Sequence, residues 1–239
     1  MTRYTTAHFS KLVAEQVYRG VAPFQNPASP SPPDWRVVLL KNPIAPASVP
    51  DATNVDQIAG VFASQQVLPV SGYLGAIGTY VLEESTFNAA TGNFDVPVAE
   101  LILAAAGGGI PFESFVFVRG LKWIAPQSCT ISSQTVTASG HGYGNGDWVT
   151  LFTGDGGSLP SGYTAASVVK VKSASANTFE IETLNGSAIA LSSAGSDVYV
   201  ADASGAWCSW ENLPAAQEIG DGEEQKFALF GAGDGEVVS

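Results

Sequence analysis

An all-β fold, an antiparallel sandwich or barrel with a short N-terminal helix and a small β-barrel domain inserted in it, follows from three features of the sequence. Runs of β-branched and aromatic residues recur between clusters of Gly, Pro, Asn and Asp, which is the pattern of strands and turns. Gly (26) and Pro (14) are abundant and only 13% of residues are charged, about half the usual share. The texture changes near Pro126 and reverts near Ala201, which predicts one domain set inside another. With 239 residues and a 45% hydrophobic fraction, the chain can bury more than one core.

The first 34 residues read as an arm. Within TAHFSKLVAEQVYR, residues 6–19, Phe9, Leu12, Val13 and Val17 recur at three- and four-residue steps, with Thr6 as a cap and Gly20 as a stop, so a short amphipathic helix is expected. Its apolar stripe could pack on its own domain or on a neighbouring subunit, and with Arg3 and Arg19 it forms the candidate interaction surface of the arm. Pro23, Pro27, Pro30, Pro32 and Pro33 follow; they cannot donate ladder hydrogen bonds and favour an extended strap.

A main β domain is expected over residues 35–125 and 202–239. Its strand candidates are Trp35–Leu40, Gln57–Phe62, Gly78–Leu82, Phe94–Leu103 and Phe112–Arg119, with Pro97 marking an edge or bulge. Residues 126–201 form the inserted module, opening with the β-branched and small polar run Thr130–Thr137. Beyond it Trp207, Trp210 and Phe227–Phe230 are too apolar for a tail, so the chain is expected to return to the first domain. No repeat of solenoid length is present.

A formal net charge of −12 argues against a nucleic-acid footprint, which needs clustered Lys and Arg. No apolar run reaches the ~20 residues of a membrane-spanning helix, and Met1–Tyr4 does not resemble a signal peptide, so folding in a cytosol is expected. Cys129 and Cys208 then read as reduced, buried thiols, although they bracket the insertion and could lie close together. Basic residues gather early (Arg3, Lys11, Arg19, Arg36, Lys41) and carboxylates late, so the two ends could pair across subunits or could simply be solvated. A surface so poor in charge suggests that part of it is covered by partners.

The densest constellation is the glycine-rich turn between Thr135 and Leu151, where His141 and Asp147 could reach each other. A general base with its orienting partner would need a nucleophile that is not there, so a hydrogen-bonded pair pinning a hairpin is the expected role. His8 and His141 are the only histidines, too few for a transition-metal site. Gly-Asp-Gly turns at 154–157, 220–224 and 233–236 lack the alternating ligand spacing of a calcium loop. Ala104–Gly109 lacks the context of a phosphate cradle. No cofactor and no catalysis are expected.

His-Gly-x-x-x-Gly-Asp at 141–147, Leu-Pro-Ser-Gly at 159–162, Val168–Val171 and Ala176–Ile181 together resemble a small β-barrel module of phage tail and virion proteins. The same pattern is similar to the first catalytic cysteine half-domain of ubiquitin-activating enzymes, where it is structural. Residues 127–201 keep the order of all three turn and strand signatures but carry Ala165–Val169 where an aromatic strand is expected. More loosely, the N-terminal arm, Arg36–Leu40, Gly72–Gly75 and Phe115–Val118 resemble small phage structural β-proteins. The resemblance implies a virion component assembled in the host cytoplasm. A capsid cement or decoration protein that binds the major capsid protein or other virion proteins is the first expectation, with a homo-oligomer, trimeric at local three-fold points of a shell. The alternative is a tail or fibre protein that binds a glycan through Tyr143, Trp148, Phe152 and Tyr163.

Overall fold

The computed structural model describes residues 2–5, 35–49, 55–75, 77–80, 86–88, 93–95, 100–119 and 124–228. In chain order its strands are β1 (Thr2–Thr5), β2 (Trp35–Leu40), β3 (Ile77–Tyr80), β4 (Thr86–Asn88), β5 (Asn93–Asp95), β6 (Glu100–Ala104), β7 (Ile110–Arg119), β8 (Gln127–Ser132), β9 (Thr135–Thr137), β10 (Trp148–Ser158), β11 (Val169–Lys172), β12 (Thr178–Glu182), β13 (Ser196–Asp202), β14 (Ala206–Ile219) and β15 (Glu224–Ala228). A single α-helix, α1, spans Val55–Ala63 among the described residues. The expected N-terminal helix over residues 6–19 and the proline strap lie outside the described residues, as do Phe9, Leu12, Val13, Val17 and Arg19.

An antiparallel sheet of five strands, in the order β1-β14-β7-β2-β3, forms the body. Its central strands are apolar on both sides because both faces are covered. Val37, Leu39, Phe115 and Phe117 face a core completed by Tyr73, Leu103, Ile110 and Ile219. Val38, Leu40, Val116, Val118, Trp207 and Trp210 face a second core completed by α1. Two-sided burial is why Val37–Leu40 and Phe115–Val118 read as continuous apolar runs instead of alternating ones.

Residues 57–62 are helical, not a strand. Ile58 and Phe62, and Ala59 and Ala63, stand four residues apart and are all buried, so their spacing forms one helical stripe against the sheet. The β-branched and aromatic content that suggested a strand reflects this packing. Phe62 stacks on Trp207 at 5.9 Å between ring centroids and meets Trp210 at 5.4 Å, which locks α1 to β14.

The expected long strand Phe94–Leu103 is also divided. Asn93–Asp95 pairs with Thr86–Asn88 in one ribbon, while Glu100–Ala104 pairs with β15 in another. Pro97, expected to mark an edge or bulge, lies between the two and outside the described residues.

Between β7 and β14, which pair with each other, the chain builds a closed barrel of β10-β11-β12-β9-β8-β13. Strands β8, β11 and β12 alternate between buried and more exposed positions, and Ile131, Val136, Leu151, Val171, Phe179, Ile181 and Val200 fill the interior. On the outside, Lys170–Glu182 and Lys172–Glu180 are directly opposed and form ion pairs at 3.5 Å. Such half-exposed pairs are each worth ~1 kcal/mol or less, so the interior carries the stability.

Barrel and sheet share one core. Val168 and Ala203 join the cluster of α1 and the central strands, with Trp148 and Leu184 packed at its rim. A Cβ on Gly60 of α1 would overlap the carbonyl of Ala166, so only glycine permits this approach of helix and barrel. The barrel is thus a seated body with a fixed orientation rather than a bead on a linker.

Candidate functional site

The Asn145-Gly146 turn exists because Gly146 adopts a positive φ of 90°, which lets the backbone fold back from β9 toward β10. His141 is 1% exposed there, stacked with Tyr143 at 5.6 Å and edge-on to Phe179 at 4.9 Å. Its Nδ1 accepts the Tyr143 N–H at 2.9 Å, whereas an Asp147 carboxylate oxygen accepts the Gly144 N–H at 2.6 Å. Each side chain therefore pins its own stretch of backbone, and the expected hydrogen bond between His141 and Asp147 is not made. A local side-chain-to-backbone bond closes a tighter ring than a bond across the turn and wins the competition.

Two asparagines that the sequence reading passed over complete the turn. Asn177 Oδ1 accepts the Gly140 N–H at 3.0 Å, and Asn145 Oδ1 accepts the Ala174 N–H at 2.8 Å. For Asn145 the signal available was its place between Gly144 and Gly146, where Asn is favoured as a turn residue; Asn177, between Ala176 and Thr178, carried no such signal.

The aromatic residues proposed for glycan contact do not form an open platform. Tyr143, Phe152 and Tyr163 are buried, and Trp148 packs against the shared core. The Tyr163 hydroxyl accepts the Leu151 N–H at 2.9 Å and donates to the Ser167 carbonyl, so this ring is a structural plug. Burial raises the Tyr163 hydroxyl above its ordinary pKa of 10.0, outweighing the opposing bonds to Thr150 and Leu151. Burial, and then the neighbouring Asp202, Cys129 and Asp147, does the same to Tyr143.

Several other titrating groups among the described residues are tied into the fold. Cys129 is a buried free thiol whose pKa burial pushes up to about 12, so it has almost no thiolate at neutral pH. In the acidic turn at 220–224, Asp221 accepts the Gly107 N–H at 2.8 Å and Glu223 accepts the Gly220 N–H at 3.0 Å. Those carboxylates cap loops. Among the described residues no group of three or more His, Cys, Asp or Glu is placed to hold a metal ion.

What remains open is surface. A groove of about 400 Å³ separates the sheet body from the barrel, lined on one side by Lys41, Asn42 and Gln65 and on the other by Phe152, Asp155 and Ala165. Lys41 and Asp155 bridge it at 3.6 Å. Among the described residues the large apolar side chains that stand out are Val70, Leu74 and Ile102, at 40%, 55% and 50% exposure. Val70 and Leu74 flank a turn that is fastened beside the end of β6, where Ala106 donates its N–H to the Ser71 carbonyl. The outer edge of β14 is the third surface. Thr2–Thr5 covers it only from Ser209 to Asn212, with Arg3 placed directly opposite Glu211, whose side chain is 1% exposed. Among the described residues no strand covers the rest of that edge, from Leu213 to Ile219.

In comparisons with known proteins, the chain matches no family model, no curated protein and no solved structure.

Proposed function

We propose that the chain is a non-catalytic structural component of a phage particle, a capsid cement protein that binds and stabilises a shell of major capsid protein. The observation that carries this reading is the β14 edge, where an N-terminal strand adds through main-chain pairing and leaves further edge beside it. Such an edge accepts extended segments from neighbours with little demand on their side chains. Three further features support it: the seated barrel, which offers a second, outward body in fixed orientation; the low share of charged residues; and the order of turn signatures across 127–201 that resembles virion modules. The protein then travels in the virion as a homo-oligomer, with other virion proteins as partners.

The test is reconstitution. Shells purified without this chain are incubated with it and heated while shell integrity is followed by light scattering. Saturable binding with a higher disruption temperature is expected; shells that neither bind the chain nor gain heat resistance would refute the cement role. The receptor alternative has lost the aromatic platform it required, since its four residues lie in or against cores.

A further inference from the structure

We propose that Thr2–Thr5 is an exchangeable strand, which in concentrated or assembled protein completes the β14 edge of a second copy of this chain instead of its own. The proposal deepens the assembly reading and rests on its premise that copies stand side by side. In the sheet β1 has one neighbour, β14, and lies at the rim. Its register sets Thr2 opposite Asn212, Arg3 opposite Glu211, Tyr4 opposite Trp210 and Thr5 opposite Ser209. The same register is available to the same strand from any copy. The register is specific, because a one-residue slip would set Thr2 or Tyr4 in place of Arg3 opposite Glu211.

Geometry leaves the choice of donor open. Thr5 is opposite Ser209, Ser209 opposite Phe117, and Phe117 opposite Val37, so the end of β1 lies three strand spacings, roughly 14 Å, from β2. Residues 6–34 between them could extend roughly 95–105 Å at ~3.3–3.6 Å per residue. That upper limit exceeds the roughly 14 Å that closure on its own sheet requires, so the tether does not oblige β1 to pair within its own chain. Contacts made within and between chains are the same, so concentration decides between them. A tethered strand sees its own edge at an effective concentration on the order of millimolar, and exchange is expected once neighbouring edges reach that density, as they do side by side on a surface.

The experiment uses full-length chains in a Cys208→Ser background. One carries Thr5→Cys and the other Ser209→Cys, since directly opposed strand residues lie ~4.5–5.5 Å apart at Cα, within disulfide reach. Equal amounts are mixed at about 1 µM, far below the tether's effective concentration, and at about 1 mM, which reaches it, and oxidised gently. The covalent heterodimer is expected to rise at least ~10-fold in yield between the two, as pairing passes from within chains to between them. No heterodimer at the higher concentration, while a chain with both substitutions closes its own disulfide, overturns the proposal. Should the cysteine variants misfold, heavy-isotope and unlabelled chains of natural sequence are mixed and chemically cross-linked at the higher concentration, then weighed by mass spectrometry. Mixed dimers support exchange, and monomers alone overturn it. A chain that stays closed in these assays yet binds shells refutes exchange and leaves the cement role intact; one that exchanges but binds no shell does the reverse.

Discussion

Gly60 of the helix and Ala166 of the barrel touch through the Ala166 carbonyl, so tightly that a Cβ on Gly60 would overlap that oxygen. Alanine normally stabilises a helix interior over glycine by about 1 kcal/mol. Here the obstacle is backbone and cannot swing aside, so overpacking wins. Gly60→Ala is expected to destabilise the protein by about 1–3 kcal/mol, read by urea unfolding. A neutral or stabilising result would show that barrel and helix are not in close contact.

Two tyrosine hydroxyls finish strands where a neighbouring strand stops. Tyr73 accepts the Leu39 N–H at 2.9 Å, just past the point where β3 ceases to pair with β2. Tyr163 accepts the Leu151 N–H at the same distance. Tyr73→Phe and Tyr163→Phe each leave a buried N–H without its acceptor, at an expected cost of about 1–3 kcal/mol. One lies in the sheet core and the other in the barrel core, so the two losses should add in the double variant, measured by denaturant unfolding.

The buried Cys129 thiol predicts a pH dependence. Burial raises its pKa from 9.0 to about 12, so the folded state holds a proton that the unfolded chain releases. A raised pKa gives stability that is complete below the unfolded value and is lost as pH climbs toward the folded one. Stability should therefore hold to about pH 9 and then fall by about 1.4 kcal/mol per pH unit from this group. Tyr73, Tyr143 and Tyr163, all raised by burial, steepen the decline above their ordinary 10.0. Cys129→Ala should move the onset of the decline to about pH 10, where tyrosine begins to ionise, in unfolding free energies measured from pH 7 to 10.5. An unmoved onset would mean that another group sets it.

The same burial makes Cys129 unreactive. Iodoacetamide at neutral pH should leave it unmodified in the native protein and label it in guanidinium, as peptide mass spectrometry would show. Labelling of the native chain at the rate of a free thiol would contradict the closed barrel around it.

How much of this was legible in the sequence depended on whether local pattern and tertiary environment agreed. Trp35–Leu40 was readable to the residue, because Val37–Leu40, buried on both faces, forms a continuous apolar run. Strands β11 and β12 were readable because alternation and turn residues coincide there. The helix at Val55–Ala63 was hidden: Ile58 and Phe62 look like strand residues, and the repeat of Ala59 and Ala63 was the quieter signal. Strand β14 was hidden too, since Glu211, Asn212 and Pro214 interrupt it and only its tryptophans marked it as structured. At the turn, the sequence placed His141 and Asp147 together but not their partners, because a side chain chooses between a distant carboxylate and a nearby N–H by geometry that spacing does not encode.

The central claim, that this chain is a shell-binding part of a phage particle, is tested most directly by a cryo-electron microscopy map of the particle that carries it. The predicted result is density on the outer face of the shell that fits the five-stranded sheet, with the closed barrel seated on it in the orientation fixed by Gly60 and Val168. Density for the chain confined to the tail, or its absence from the particle, would contradict the claim.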